Sequence, residues 1–350
     1  MFRRLAIALG FLAGCDGTPT LVRVHYPAGA KTLTLRGAET RALTREADDV
    51  WSASFTNVTD SLELRPHLGE TPSRGPPYVI TPGATADLYP RFTVTKGEVS
   101  KRFEFHSNIL GNTRPVWVYL PPTYLENPRA RFPVLYMHDG QNLFDPATAY
   151  GGNPWWVQRT MDDGAESGTI AEAIVIGPEN NADRTDEYTP VAGKEFHGGR
   201  GGAYLRMLVE ELKPKVDAEY RTLPGRETTV LMGSSLGGLI SSYAGVTHAG
   251  TFGKIGAMSP STWWADQAIL GLVSASPVAP RPLRVYLDSG DSGVDDDDVT
   301  QTAKLADVYR SLGYVEGKDL KYVVQKGAVH NETYWAQRLP DALHFPLGPR

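Results

Sequence analysis

From about residue 103 onward, short apolar segments rich in β-branched residues recur at wide intervals along the chain. Most of them are apolar on both faces, which is typical of parallel strands that helices cover on each side. Amphipathic helical spacing separates them, and it is clearest over residues 205–216. The segments are 115–120, 132–137, 173–177, 229–233, 255–258, 284–287 and 321–324. This alternation predicts an α/β fold over residues 103–350, with a doubly wound, mostly parallel sheet that binds ligands at the carboxyl ends of its strands.

Residues 18–101 have a different pattern. Short segments alternate apolar and polar residues with a period of two, and glycine- or proline-containing turns separate them. The clearest examples are 21–26, 31–36 and 61–65. This predicts a small, immunoglobulin-like β-sandwich that precedes the α/β domain. Nothing in this segment indicates catalysis; we expect it to pack against the main domain as a scaffold, and shaping the rim of the site or binding a substrate are the alternatives.

Charge and cysteine content exclude several classes of protein. The formal net charge is −5, so there is no basic surface of the kind that binds nucleic acid. No apolar run reaches the roughly 18 residues of a membrane-spanning helix. A single cysteine excludes an intramolecular disulfide and a zinc site built on several thiolates.

The cysteine lies in an informative position near the N-terminus. Arg3 and Arg4 precede an apolar stretch over residues 5–13, and the chain continues Leu12-Ala13-Gly14-Cys15. A basic head, a short apolar stretch and small residues at the break are typical of a secretory signal. The last four residues resemble a bacterial lipoprotein signal, so we predict a signal peptide over 1–14 and lipidation of Cys15. The protein would then be anchored in the bacterial cell envelope, on the periplasmic or outer-surface side.

The sharpest local motif is Gly233-Ser234-Ser235-Leu236-Gly237-Gly238, between an apolar strand and a helical stretch. A G-x-S-x-G sequence in this context predicts a nucleophile elbow that presents Ser235. The Leu236 N–H, at the start of the helix, could donate to a developing oxyanion. The loop after the strand at 132–137 could supply the second donor, and the Gln141 N–H is the candidate.

A base for Ser235 has to follow it in the chain, because the order in such folds is nucleophile, acid, histidine. Three histidines do so. His248 is too close in sequence, and His344 lies in a terminal helix or tail. His330 comes after the last strand, in a loop that could reach the serine, and is the predicted base.

The acid is expected in the loop that follows the strand at 284–287. Asp291 comes just past a Ser-Gly turn and is the predicted triad acid; Asp295 is the alternative if the loop is longer, and Asp288 if the acid is still on the strand. The remaining aspartates indicate a solvated loop. Calcium binding by this acidic segment stays an alternative, although its spacing is not that of an EF-hand. We predict no metal and no cofactor.

Substrate contacts are less well defined. The tryptophan pairs Trp155-Trp156 and Trp263-Trp264 could stack on an aryl or sugar ring or pack in the core. Arg184 could bind an anionic group, but a structural pair with an acid is the favoured interpretation.

The motifs together resemble a known family. The segments 138–144, 233–238 and 259–264, with the late His330, are similar to the "Putative esterase" family, which includes esterase D, enterochelin esterases and feruloyl esterases. The resemblance covers residues 103–345. It implies an α/β-hydrolase fold, a serine nucleophile and carboxylic ester substrates, and siderophore esterases of this group carry an N-terminal β-sandwich. Relatives often place the acid three residues beyond the loop glycine; here Gly293 occupies that offset from Gly290, which leaves the acid open.

These observations predict a serine carboxylic ester hydrolase with a Ser-His-Asp triad that acts on a small acetyl, aryl or siderophore ester. The alternatives are a non-catalytic surface-binding lipoprotein of the same fold and an acyltransferase. The sequence does not specify the oligomeric state.

Overall fold

The structure is a computed structural model that describes residues 4–5, 18–194, 197–275, 281–282 and 284–348. Cys15 and most of the predicted signal peptide therefore lie outside the described residues. No helix in the described ranges is both long and apolar enough to cross a bilayer.

The N-terminal strands are β1 Arg4–Leu5, β2 Thr20–His25, β3 Leu33–Arg36, β4 Thr40–Ala42, β5 Thr44–Ala47, β6 Val50–Phe55, β7 Leu62–Leu68, β8 Thr71–Pro72, β9 Tyr78–Ile80 and β10 Thr85–Leu88. They form a six-stranded sheet in the order β1-β9-β7-β3-β4, with β8 on β7, and a four-stranded sheet in the order β10-β2-β6-β5. Burial alternates along β2 and β3, as the period-two pattern predicts. The buried side chains of both sheets contribute to one hydrophobic cluster.

The remaining strands are β11 Glu98–Ser107, β12 Asn112–Leu120, β13 Val134–Met137, β14 Ile174–Pro178, β15 Ala192–Gly193, β16 His197–Gly198, β17 Thr229–Ser235, β18 Lys254–Pro260, β19 Arg284–Ser289 and β20 Leu320–Val324. All except the short β15–β16 hairpin form one eight-stranded sheet in the order β11-β12-β14-β13-β17-β18-β19-β20. β12 is antiparallel to both of its neighbours, and the strands from β14 to β20 pair in parallel. This confirms the predicted mostly parallel α/β fold. β11 belongs to this sheet and crosses the predicted boundary between residues 101 and 103.

The helices are α1 Pro122–Glu126, α2 Val157–Ser167, α3 Arg184–Glu187, α4 Gly201–Arg206, α5 Lys213–Glu219, α6 Leu236–Thr247, α7 Trp264–Ser274, α8 Val299–Ser311 and α9 Glu332–Leu347. A π-helical segment, Met207–Leu212, joins α4 to α5. Helices cover both faces of the sheet, so alternate residues of one strand pack into different hydrophobic cores. In β13, Val134 and Tyr136 belong to the core that includes α6. Leu135 and Met137 belong to the core that includes α9. The strands are apolar on both faces for this reason.

Ionic contacts hold the N-terminal sheets to the α/β domain. The fully buried Arg91 side chain bonds to Glu166 of α2 at 2.8 Å and to Glu172 at 3.3 Å. The Glu126 carboxylate, at the end of α1, accepts hydrogen bonds from the backbone N–H groups of Phe92 and Val94. The two parts of the chain therefore pack together through ion pairs and hydrogen bonds, in which Arg91 is buried and Glu166 is partly exposed.

Candidate active site

The turn between β17 and α6 presents Ser235 with a backbone that non-glycine residues rarely adopt. Its φ is 57° and its ψ is −124°. Such a conformation costs of order 1–3 kcal/mol and persists only where the surroundings enforce it. Close packing supplies that constraint, because a Cβ on Gly233 would lie 2.8 Å from His138 Cδ2. The strand-turn-helix predicted around Ser235 is therefore present.

Ser235 faces a cavity of about 380 Å³ at the carboxyl end of the parallel strands. The side chains around it come from four loops and the start of α9; they are Asp139, Gln141, Asn142, Tyr150, Asn180, Arg184, Ser234, Ser235, His330, Glu332 and Trp335. His330 and Ser235 thus line one cavity although 95 residues separate them in the chain. The Ser235 Oγ also lies 3.3 Å from the Oγ of Ser261, the residue just after β18.

His330 is oriented by a buried carboxylate. Its Nδ1 lies 2.5 Å from Oδ1 of Asp297, which is fully buried, while the imidazole is about one-third exposed. Burial raises the pKa of Asp297, but hydrogen bonds from His330, the Gly290 N–H and the Ser259 hydroxyl outweigh it and lower the pKa overall. Asp297 is therefore an ionised acceptor, and the Nε2 side of the ring is left for the cavity.

Asp297 corrects the sequence prediction of the acid. The predicted acid, Asp291, accepts from the Gly327 N–H at 2.6 Å and from its neighbour Ser292, and it does not bond to His330. The first alternative, Asp295, is exposed to solvent. The second, Asp288, is fully buried on β19 and forms an ion pair with Arg338, whose Nε lies 3.1 Å from Oδ2.

The acid was missed because of an unusual backbone turn. Asp295, Asp296, Asp297 and Asp298 are consecutive left-handed residues, with φ between 48° and 56°. Aspartate tolerates this region better than most residues, but a run of four is uncommon. The turn points Asp297 inward, and no local sequence signal distinguishes it from its three neighbours.

Ser259 holds Asp297 in place through a hydrogen bond, and the sequence did not predict this role. Its hydroxyl donates to Asp297 Oδ2 at 2.7 Å and accepts from Trp335 Nε1 at 3.0 Å and from Arg338 Nη2 at 2.7 Å. Trp335 in turn packs its ring edge-on against His330, with 4.9 Å between the centroids. Ser259 therefore ties the acid to α9, whose first residue follows His330 by two positions.

Of the two predicted oxyanion donors, Leu236 directly follows Ser235 in the chain and Gln141 lines the same cavity. Leu236 is the first residue of α6, where backbone N–H groups lack an acceptor within the helix. Gln141 lies in a 3₁₀ turn, Gly140–Asn142, and lines the cavity. This turn packs tightly on β14, because a Cβ on Gly140 would collide with the carbonyl oxygen of Gly177. The Gln141 side chain also bonds to the Asn180 N–H at 3.2 Å.

Next to this turn, and also lining the cavity, lies a largely buried ion pair. Arg184 Nε and Nη2 donate to the two oxygens of Asp139 at 2.8 and 2.9 Å, so the arginine pairs with an acid, as the favoured interpretation of the sequence expected. Burial raises the pKa of Asp139, but Arg184 outweighs this and lowers it. Complete burial lowers the pKa of the adjacent His138 to about 3, so this ring is neutral in the folded protein.

The other candidates lie away from the reacting groups or in the core. His248 directly follows α6 and bonds to Thr247, while His344 Nδ1 bonds to the Thr169 carbonyl. Trp155 and Trp264 are buried, whereas Trp263 is 43% exposed. Within the described ranges, no group of three or more His, Cys, Asp or Glu side chains is arranged to hold a metal ion.

Comparison with known proteins identifies the family of this chain. The model of the family described as "Putative esterase" matches residues 107–345. The uncharacterized protein YbbA of Bacillus subtilis is 30% identical over 252 residues, which are 68% of this chain and 94% of YbbA. The ferri-bacillibactin esterase BesA of the same organism is 27% identical, over 60% of this chain and 74% of BesA.

A solved structure shares almost the whole fold. The enterobactin esterase FES from Shigella flexneri superposes with a TM-score of 0.57, at 16% identity, over 93% of this chain and 92% of that chain. At this identity the likeness shows the fold alone. The family match over most of the α/β domain, together with the similarity to YbbA, shows that the chain belongs to the "Putative esterase" family and is a carboxylic ester hydrolase.

Proposed function

We propose that this esterase uses a Ser235-His330-Asp297 triad. The observation that carries the proposal is the 2.5 Å contact between His330 Nδ1 and the buried Asp297, with the same imidazole lining the cavity into which the elbow presents Ser235. A carboxylate on Nδ1 keeps the proton there and leaves Nε2 as the acceptor that a serine hydroxyl needs.

The reaction proceeds in two similar steps. Ser235 Oγ attacks the ester carbonyl while His330 Nε2 takes its proton, and the Leu236 and Gln141 N–H groups stabilise the oxyanion. The tetrahedral intermediate collapses, His330 returns the proton to the leaving alkoxide, and an acyl-serine remains. Water then attacks the acyl group with His330 as base, and this releases the acid and restores Ser235.

The substrate we propose is a small ester with an aryl, acetyl or siderophore-type acyl group. Two relatives support the siderophore and aryl classes by their names, a ferri-bacillibactin esterase and a structural neighbour called a ferulic acid esterase. The cavity itself is compatible with one acyl group of this size, and the 75%-exposed Tyr150 offers an aromatic face at its edge.

We also propose that the protein is lipid-anchored through Cys15 in a bacterial envelope. The support is the sequence Leu12-Ala13-Gly14-Cys15 after a basic head and an apolar stretch, and the fact that this is the only cysteine. Metabolic labelling with an alkyne fatty acid in a bacterial host should label the wild type but not Cys15→Ala. Equal labelling of both would refute the anchor.

The triad is tested with Ser235→Ala. Turnover of p-nitrophenyl butyrate should fall by about 10⁶, and a fluorophosphonate probe should no longer label the protein. Thr247→Ala, at the far end of α6, is the matched control, and it should keep both the ester turnover and the fluorophosphonate labelling of the wild type. Unlabelled wild type would indicate a non-catalytic binding protein, whereas ester products that appear when an alcohol is added would indicate an acyltransferase.

A further inference from the structure

Glu332 lies at the catalytic cavity but has no part in the chemistry described above. It begins α9, two residues after His330, and its partly buried side chain lines the cavity with Ser235 and Arg184. Most glutamates in the first turn of a helix simply stabilise that helix, because their negative charge interacts favourably with the helix dipole. This one also faces the space that the substrate must occupy.

The charges around the cavity do not cancel. Arg184 is the cation lining it, and two of its nitrogens are engaged by Asp139. Behind His330, the Asp297 carboxylate is itself paired with Arg338 Nη2 at 3.7 Å. Among the residues that line the cavity, counting Asp139 and Glu332 against Arg184 leaves an excess of one negative charge, which is due to Glu332.

Several groups act on the Glu332 carboxyl. Burial raises its pKa most, and Asp139 adds to this, while its own backbone N–H, His330 and Arg184 lower it. Together these effects leave the pKa of Glu332 above its ordinary value, and the proposal is therefore tested at pH 8, where the ionised carboxylate is most favoured.

We propose that Glu332 is a specificity-determining residue that makes the esterase prefer neutral or cationic esters over anionic ones. The proposal rests on the proposed function, because it assumes that the ester binds in the cavity lined by Ser235 and His330. A carboxylate here repels a second carboxylate on the substrate, and it attracts an ammonium group or accepts from a phenolic hydroxyl. If the substrate carboxylate lies about 7 Å from the Glu332 carboxylate, in surroundings of effective dielectric near 40, their repulsion lowers kcat/KM roughly five- to tenfold.

The test compares substrates that differ only in charge. p-Nitrophenyl hemisuccinate and p-nitrophenyl butyrate form the anionic pair, and acetylcholine and 3,3-dimethylbutyl acetate form the cationic pair. At pH 8 and low salt, Glu332→Gln should raise the hemisuccinate-to-butyrate ratio of kcat/KM five- to tenfold. It should lower the acetylcholine-to-dimethylbutyl acetate ratio by a similar factor.

A matched control separates this effect from net charge. Glu227→Gln makes the same chemical change at an exposed residue just before β17, at the opposite end of that strand from Ser235 and roughly 25 Å away by strand rise. Both ratios should stay within twofold of the wild type in this variant. Equal shifts in the two variants, or none in Glu332→Gln, would overturn the proposal.

The wild type provides an independent measurement if Glu332→Gln fails to fold. Raising NaCl from 20 to 500 mM should increase its hemisuccinate-to-butyrate ratio, because salt screens the repulsion. A ratio that does not change with salt would contradict the proposal. If the wild type turns over none of the four esters, the proposed function itself fails; if it turns over the neutral esters but shows no charge preference, only this inference fails.

Discussion

Replacing Asp297 by asparagine should remove most of the esterase activity while leaving the fold in place. Oδ2 of Asp297 accepts from the Ser259 hydroxyl at 2.7 Å and from the Gly290 N–H, and Oδ1 faces His330 Nδ1. In the Asp297→Asn variant, the two donors on the Oδ2 side keep the amide oxygen on their side. The amide nitrogen then faces His330 and donates to Nδ1, so the proton of the ring moves to Nε2.

This geometry sets the size of the effect. An imidazole protonated on Nε2 cannot accept the proton of Ser235, and the buried site offers no other orientation of the amide that satisfies its donors. We therefore expect kcat to fall by about 10³ to 10⁴, which corresponds to about 4–5.5 kcal/mol of lost transition-state stabilisation. KM should change little, because Asp297 is fully buried and cannot contact the substrate.

The assay is the steady-state hydrolysis of p-nitrophenyl butyrate, with thermal unfolding to confirm the fold. Asp291→Asn is the matched control, since it makes the same change in the same loop at a residue that bonds to Gly327 and not to His330. The control should keep at least a third of kcat. If Asp291→Asn loses 10³-fold and Asp297→Asn does not, the assignment of the acid is refuted.

Two further predictions concern stability. Because the pKa of His138 is about 3 in the folded protein and near 6.5 in the unfolded chain, the unfolded chain binds the extra proton between these values. The contribution of the neutral His138 to the free energy of unfolding is complete above pH 6.5. It falls by about 1.4 kcal/mol per pH unit as the pH drops toward 3. Urea unfolding at several pH values should show a shallower acid dependence in His138→Gln, and an identical slope would contradict this. Asp295→Gly and Asp296→Gly should each raise the free energy of unfolding by about 0.5–1 kcal/mol, because both residues are exposed and left-handed; a lower melting temperature in both would show that the turn is not strained.

The fold was accessible from the sequence because its signals are local or periodic. Strands that are buried on both faces have to be apolar throughout, and helices with one buried face repeat every three to four residues. The boundary at residues 101–103 was misplaced because β11 alternates like the strands before it, and only its pairing with β12 shows that it belongs to the large sheet. Strand pairing is a long-range property, so no window of sequence reveals it.

In the candidate site, too, some residues leave a local signal in the sequence and others are defined only by long-range contacts. Ser235, its helix and its flanking glycines were recognisable because the steric demands of a sharp turn act on neighbouring residues and leave a motif in the chain. His330 followed from chain order and from its position after the last strand. Asp297, which contacts His330, and Ser259, which contacts Asp297, were not recognisable from the sequence. Their contacts join residues that are 33 and 38 positions apart in the chain.

The sequence alone therefore predicted the sharp turn that presents Ser235, the candidate base His330 and the alternation of strands and helices, since these are imposed by backbone sterics, chain order and periodic burial. Only the tertiary structure decided which of several nearby aspartates faces the imidazole. Asp291 and Asp297 are chemically identical and only six residues apart, and the difference between them is which one the left-handed turn buries against Ser259 and His330. A choice among equivalent side chains is made by packing, and packing depends on parts of the chain that are distant in sequence.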